Sequence, residues 1–194
     1  MSILSALTGR GLRSPQSIRH NGKRLSEILE AHALFVRGDE KGVHGELAGA
    51  DLSRANLEKA NLAYVNFQGA NLEGANLRNA KLASADLSKA VLRKADLRKA
   101  DLTEANLSGA DLTEAQAGGT EFFRANLSQA VLRRGDFGAA NFRDANVHGA
   151  DFEGASLQTT ILRETNLQGV DLSRVDLSTT LLPRGYTRPG SSKN

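Results

Sequence analysis

The chain of 194 residues has no cysteine and no tryptophan, and only one methionine, two tyrosines and three prolines. Without cysteine, neither a disulfide framework nor a thiolate metal site is available. The apolar run at the start, Ile3-Leu4-Ser5-Ala6-Leu7, is too short for a secretory core. No stretch approaches the roughly 20 apolar residues of a membrane span, so a soluble cytoplasmic protein is expected. His20, His32, His44 and His148 stand apart, with no nucleophile or carboxylate pair at a recognisable catalytic spacing. No glycine-rich phosphate cradle occurs either. Catalysis is therefore not expected, and no cofactor or metal is called for.

What the chain has instead is a rhythm of five. Every fifth residue from Leu52 to Leu182 is apolar, 27 positions in all, of which 20 are leucine. Five more are Phe67, Phe122, Phe137, Phe142 and Phe152, leaving Ala117 and Val147. Two places before each stands a small residue. Alanine fills 19 of these 27 positions; Val65, Thr120, Gly135, Thr160, Thr165, Val170, Val175 and Thr180 fill the rest. A repeat this regular dictates an architecture.

Five is not a helical period, because five residues advance by roughly 500° and scatter the leucines around the cylinder. Nor is it the two-residue alternation of a plain strand. Alternation plus a corner does give five. In Ala105-Asn106-Leu107-Ser108-Gly109, Ala and Leu point inward, Asn points outward between them, and Ser-Gly turns the chain. Repetition winds a coil around an apolar axis, and coils stack about 4.8 Å apart. Every twentieth residue from Asn66 onward (Asp86, Asn106, Asn126, Asn146, Asn166) forms one nearly pure column, which points to four sides per coil.

The units Ala70-Asn71-Leu72-Glu73-Gly74 and Ala110-Asp111-Leu112-Thr113-Glu114 resemble the A(D/N)LXX signature of the pentapeptide repeat family. That resemblance implies an all-β solenoid, a right-handed quadrilateral β-helix with four pentapeptides per coil. The 27 repeats then make about seven coils. The family's distribution further implies a bacterial protein. Some members of the family bind DNA gyrase or topoisomerase by imitating duplex DNA and so protect against drugs. Those members resemble strongly acidic dimers joined through a C-terminal helix. Here residues 50–182 carry 15 basic and 17 acidic side chains, and the C-terminus shows no helical segment. A near-neutral rod competes poorly with the charge density of DNA, and with no basic stripe or stacking aromatics it is poorly suited to bind DNA directly.

The narrow interior suits small residues, since larger ones would overpack it. Phe122 and Phe142, twenty apart, are expected to stack. Ala117 makes room for a neighbouring phenylalanine, and Gly118-Gly119 mark an expected local irregularity, either a packing adjustment or a binding notch. The stacked like charges Asp101/Glu121, Asp151/Asp171, Arg78/Arg98 and Arg143/Arg163 are either solvated or points of partner contact.

The chain divides into a flexible basic segment over 1–22, a capping helix and connection over 23–46, a repeat β-helix over 47–182 and a flexible tail over 183–194. Leu25, Ile28, Leu29, His32, Phe35 and Val36 recur at helical spacing, predicting an amphipathic helix over 23–37 whose apolar face sits on the first coil. Asn21 or Ser26 caps its start and Gly38 ends it. His32 reads as a cap or core residue rather than a metal ligand.

At the far end the outward position turns apolar at Ile161 and Leu181, with Phe123, Arg143 and Arg163 at the corner of the same side. An aromatic, two arginines and two aliphatics have the composition of an interface. These five residues form the candidate surface for self-association, as in a homodimer, or for an unknown protein partner. The alternative is that Tyr186 and the tail fold back over them. The function expected is a rigid protein-interaction scaffold, with gyrase mimicry as the second reading.

Overall fold

The twenty-residue column has its cause in the backbone. In the computed structural model, which describes residues 11–187, the parallel bridges from Glu46–Asn66 to Ile161–Leu181 all join residues twenty apart. Four five-residue sides therefore make one coil, and each coil hydrogen-bonds to the next. The Leu107 N–H reaches the Asn126 carbonyl at 2.7 Å, and the Asn126 N–H reaches Ala105 at 2.9 Å. At the corner, Ala110 N–H bonds back to the Leu107 carbonyl at 3.0 Å, closing a four-residue turn.

That turn needs positive φ at its third residue. Gly109 meets the need without strain at φ 66°, and Lys89, Lys94 and Lys99 adopt φ 57–59° at the same place. The Asp/Asn position has its own reason. The Asn106 side-chain oxygen accepts the Ser108 N–H at 3.2 Å, fixing the corner, and the Asn126 amide donates to Asn106 at 3.3 Å, linking coils. A carbonyl oxygen close to the backbone is what both bonds require.

The leucines, phenylalanines and alanines of the repeat form one continuous core along the axis. Threonines in the small position keep their hydroxyls satisfied. Thr120, Thr160 and Thr165 donate to the carbonyls of Leu97, Phe137 and Phe142 at 2.7, 2.8 and 2.6 Å. Phe122 and Phe142 do stack, with centroids 4.6 Å apart. The irregularity expected at Gly118-Gly119 is absent. Ala117 N–H still bonds Asp136 at 2.7 Å and Gly119 N–H bonds Gly138 at 2.9 Å, because the mainchain ladder does not depend on inward side-chain size.

The N-terminal segment differs from expectation. Within the expected flexible stretch 1–22, residues 11–22 are packed against the rod. Arg13 bridges Ala55, its N–H bonding Arg54 at 2.7 Å and its carbonyl accepting from Asn56 at 2.8 Å. It completes the lower edge of the first coil, whose backbone groups would otherwise lack partners. Ile18 is fully buried behind it. Strands β1 (Arg19–His20) and β2 (Lys23–Arg24) form a hairpin around Asn21-Gly22, both at positive φ.

Helix α1 (Leu25–Val36) follows directly. Neither expected cap holds: Asn21 turns the hairpin and Ser26 lies inside the helix. Arg24 occupies the cap position, its N–H donating to the Glu27 carboxylate at 2.9 Å. Gly38, at φ 76°, does end the helix, with Gly38 and Asp39 N–H groups bonding Phe35 and Leu34 carbonyls. Leu25 and His32 are buried, and Ile28 and Leu29 pack against the core. Among the described residues no helix is long and apolar enough to cross a membrane.

Candidate protein-interaction face

Ile161 and Leu181 are ladder neighbours, Leu181 N–H bonding the Thr160 carbonyl at 2.9 Å. Ile161 is half-buried, while Leu181 keeps 43% of its surface exposed. Phe123 and Arg143 take the first corner position of the same side in successive coils, tied by the bond from Arg124 N–H to the Arg143 carbonyl at 3.1 Å. Phe123 is half-buried, and the Arg124 guanidinium lies 4.9 Å from its ring centre. Arg163, one coil further, is exposed and lines a cleft of about 670 Å³ with Leu182, Pro183 and Arg184. The five residues thus share one side of the rod, as their spacing requires.

The chemistry within that side is uneven. Arg143 pairs with Glu164, whose carboxylate raises the guanidinium pKa. Arg163 makes no ion pair among the described residues. Of the expected tail, residues 183–187 continue the fold: Tyr186 N–H bonds the Pro183 carbonyl at 3.2 Å, and the Tyr186 ring packs against the core. Tyr186 thus packs on the core, while Leu181 stays exposed; the rest of the expected tail, 188–194, lies outside the described residues.

Outward charge along the rod is banded by coil. Arg78, Lys81, Lys89, Arg93, Lys94, Arg98 and Lys99 face only Asp86 and Asp96 within 78–99. The next twenty-two residues carry Asp101, Glu104, Asp111, Glu114 and Glu121 and no base. The bands neutralise one another. Arg93 pairs with Asp111 at 3.4 Å, Lys94 with Glu114 at 3.8 Å, Arg134 with Glu114 at 3.3 Å and Arg124 with Glu104 at 3.7 Å. Among the stacked like charges, Arg98 binds Asp96 and Asp151 binds Arg133 at 2.5 Å, while in Asp101/Glu121 the Glu121 carboxylate accepts the Asn141 amide at 2.8 Å. Burial pushes the Asp111 and Asp151 carboxyls up, but hydrogen bonds from the corner residues and the arginines bring both below the ordinary value.

A second exposed apolar group lies at the other end. Phe35 (39% exposed), Val43 (57%) and Tyr64 (55%) surround His44, whose Nε2 lies 2.6 Å from the Tyr64 carbonyl and whose ring meets Phe35 edge-on at 5.3 Å. Sequence reasoning missed it, having placed Phe35 inward. The available signal was Tyr64, an aromatic at a corner position held elsewhere on that side by Ser84, Glu104, Arg124, Asp144 and Glu164. No cluster of three or more metal-ligating side chains occurs among the described residues.

The repeats match the family model for pentapeptide repeats in eight copies, over residues 46–79, 80–116, 120–158 and 140–178. No curated protein matches. Among solved structures, the chain is similar to the pentapeptide repeat protein Rfr23 from the cyanobacterium Cyanothece 51142. Identity there is 30%, over 55% of this chain and 63% of that one, with a TM-score of 0.36. The chain thus spans under two-thirds of the length of Rfr23. It is also similar to HetL, a protein involved in heterocyst differentiation regulation from the cyanobacterium Nostoc sp. strain PCC 7120. That match has 24% identity, 74% and 78% coverage and a TM-score of 0.34. QnrB1, a plasmid-mediated fluoroquinolone resistance protein, matches at 23% identity, 73% and 78% coverage and a TM-score of 0.32.

Proposed function

Because the chain belongs to the pentapeptide repeat family, whose fold is a right-handed quadrilateral β-helix, we propose that it is a rigid cytoplasmic scaffold for protein–protein interaction. In this reading the rod has about seven coils, helix α1 caps its first coil, and no catalysis takes place. The observation that supports it most is Leu181, an aliphatic residue left exposed beside Ile161 and the unpaired Arg163. Around them Phe123 and Arg143 extend the same side. A large apolar side chain held by the backbone ladder costs little entropy to dock, and a free guanidinium supplies orientation.

The imitation of duplex DNA requires a continuous run of negative charge. The alternating bands interrupt any such run after one coil, so the scaffold reading is preferred. The test is a double variant, Arg163→Glu with Leu181→Asp, compared with the parent by light scattering and by affinity capture from a bacterial lysate. Loss of self-association or of a specific captured protein supports this face. Unchanged mass and unchanged capture remove it. Recovery of gyrase or topoisomerase subunits by both forms would replace the scaffold reading with mimicry.

A further inference from the structure

We propose that His32 makes the docking of helix α1 acid-sensitive, so that the N-terminal end of the rod loosens as the pH falls below neutrality. The imidazole is fully buried between helix and first coil. Its Nδ1 accepts the Gly45 N–H at 3.1 Å, and its Nε2 lies 2.9 Å from the Ala63 carbonyl. A carbonyl can only accept and an amide N–H can only donate. The ring is therefore held with its proton on Nε2 and with Nδ1 bare. A second proton on Nδ1 would oppose one donor to another and break the link between connection and helix.

Among the described residues no carboxylate bonds to the His32 ring. The helix contributes the Phe35 ring, stacked 5.8 Å away. The connection contributes Gly45 and the His44 ring at 6.0 Å, which when protonated repels a charged His32. The Glu46 carboxylate on the connection is engaged by His44 at 2.8 Å and by the Asn66 amide at 2.9 Å. The first coil offers only the neutral Ala63 carbonyl. Burial holds the His32 pKa below the ordinary histidine value; the Ala63 bond opposes this and His44 adds to it. Packing around the ring leaves no slack, since a Cβ on Gly45 would come within 3.0 Å of Val65 and 3.3 Å of His32.

The sign follows from linkage. An undocked histidine takes up a proton below about pH 6.5, whereas the docked ring resists it. Docking is complete above that value and weakens as the pH falls toward the depressed one. The inference rests on helix α1 acting as an end cap, and is independent of the partner and of the Leu181 face.

The test is amide hydrogen exchange on the full chain, read by mass spectrometry at about pH 7.5 and about pH 5 and corrected for intrinsic rates. Protection over residues 25–46 is expected to fall about threefold or more at the lower pH, with residues 80–116 unchanged. His32→Gln and His32→Leu should both lose this dependence, whatever their protection at the higher pH. His44→Asn should retain it. Equal protection of the parent at both pH values overturns the proposal, as does full pH dependence in His32→Leu.

Discussion

Phe122 and Phe142 stack one coil apart, 14° from parallel, and Phe137 fits against both, with its centroid 6.3 and 5.8 Å from theirs. Gly135 makes this cluster possible. A Cβ at that position would lie 2.5 Å from Cε2 of Phe137. Gly135→Ala is therefore expected to destabilise the rod by about 1–3 kcal/mol through overpacking. Phe142→Ala should cost about 3–5 kcal/mol by opening a cavity. Chemical denaturation measures both, and a neutral Gly135→Ala would show that the ring has room to move.

Asn126 spans three levels of the stack. Its amide donates to Asn106, its oxygen accepts the Ser128 N–H at 3.1 Å and the Asn146 amide at 3.1 Å. Asn126→Leu should cost about 1–3 kcal/mol, because the half-buried Asn106 and Ser128 lose their partner. Asn126→Asp keeps the oxygen that fixes the corner and should cost less. The same denaturation midpoints decide this, and equal losses in the two variants would refute the corner role of the oxygen.

Acid should act in two stages. The His32 contribution is constant above about pH 6.5 and is the first to be lost as the pH falls below it. Asp51, Asp111, Asp151 and Asp171 all have carboxyl pKa values held below their ordinary value of 3.8. Ser53 does this for Asp51 and Ser173 for Asp171; Asp111 and Asp151 owe it, against burial, to Thr113 with Arg93 and to Glu153 with Arg133. Such groups stabilise the fold above the unfolded pKa, and the contribution goes as pH falls through the folded one. Melting temperature against pH should therefore show a small step below 6.5 and a steeper fall below 4. In His32→Leu only the second should survive.

The rod was legible in the sequence because its structure is local. Each pentapeptide repeats one backbone conformation, so the inward pair Ala105 and Leu107 and the corner Ser108-Gly109 could be read without knowing any neighbour. The stacking of Phe122 on Phe142 followed from their separation alone. The five residues of the candidate face could be placed on one side by the same count. What the count could not show was the state of each side chain: that Arg143 is neutralised by Glu164, that Arg163 is not, and that Tyr186 covers part of the end but not Leu181.

The N-terminal end was legible only in part, and the reason is physical. Asn21-Gly22 carries the dipeptide signal of a hairpin, but two-residue strands have too little pattern to be seen as strands. Arg13 has no local reason to be ordered. It becomes so because the first coil presents unpaired backbone groups at Ala55 and Asn56, forty residues away. The sequence by itself determined the period and the inward residues, since those arise from steric and hydrogen-bonding rules within five residues, and its twenty-residue column pointed to the four-sided coil. Only the tertiary structure decided how the ends are closed, which charges are free, and that both ring nitrogens of His32 are engaged in a buried site, because each depends on groups brought together across the chain.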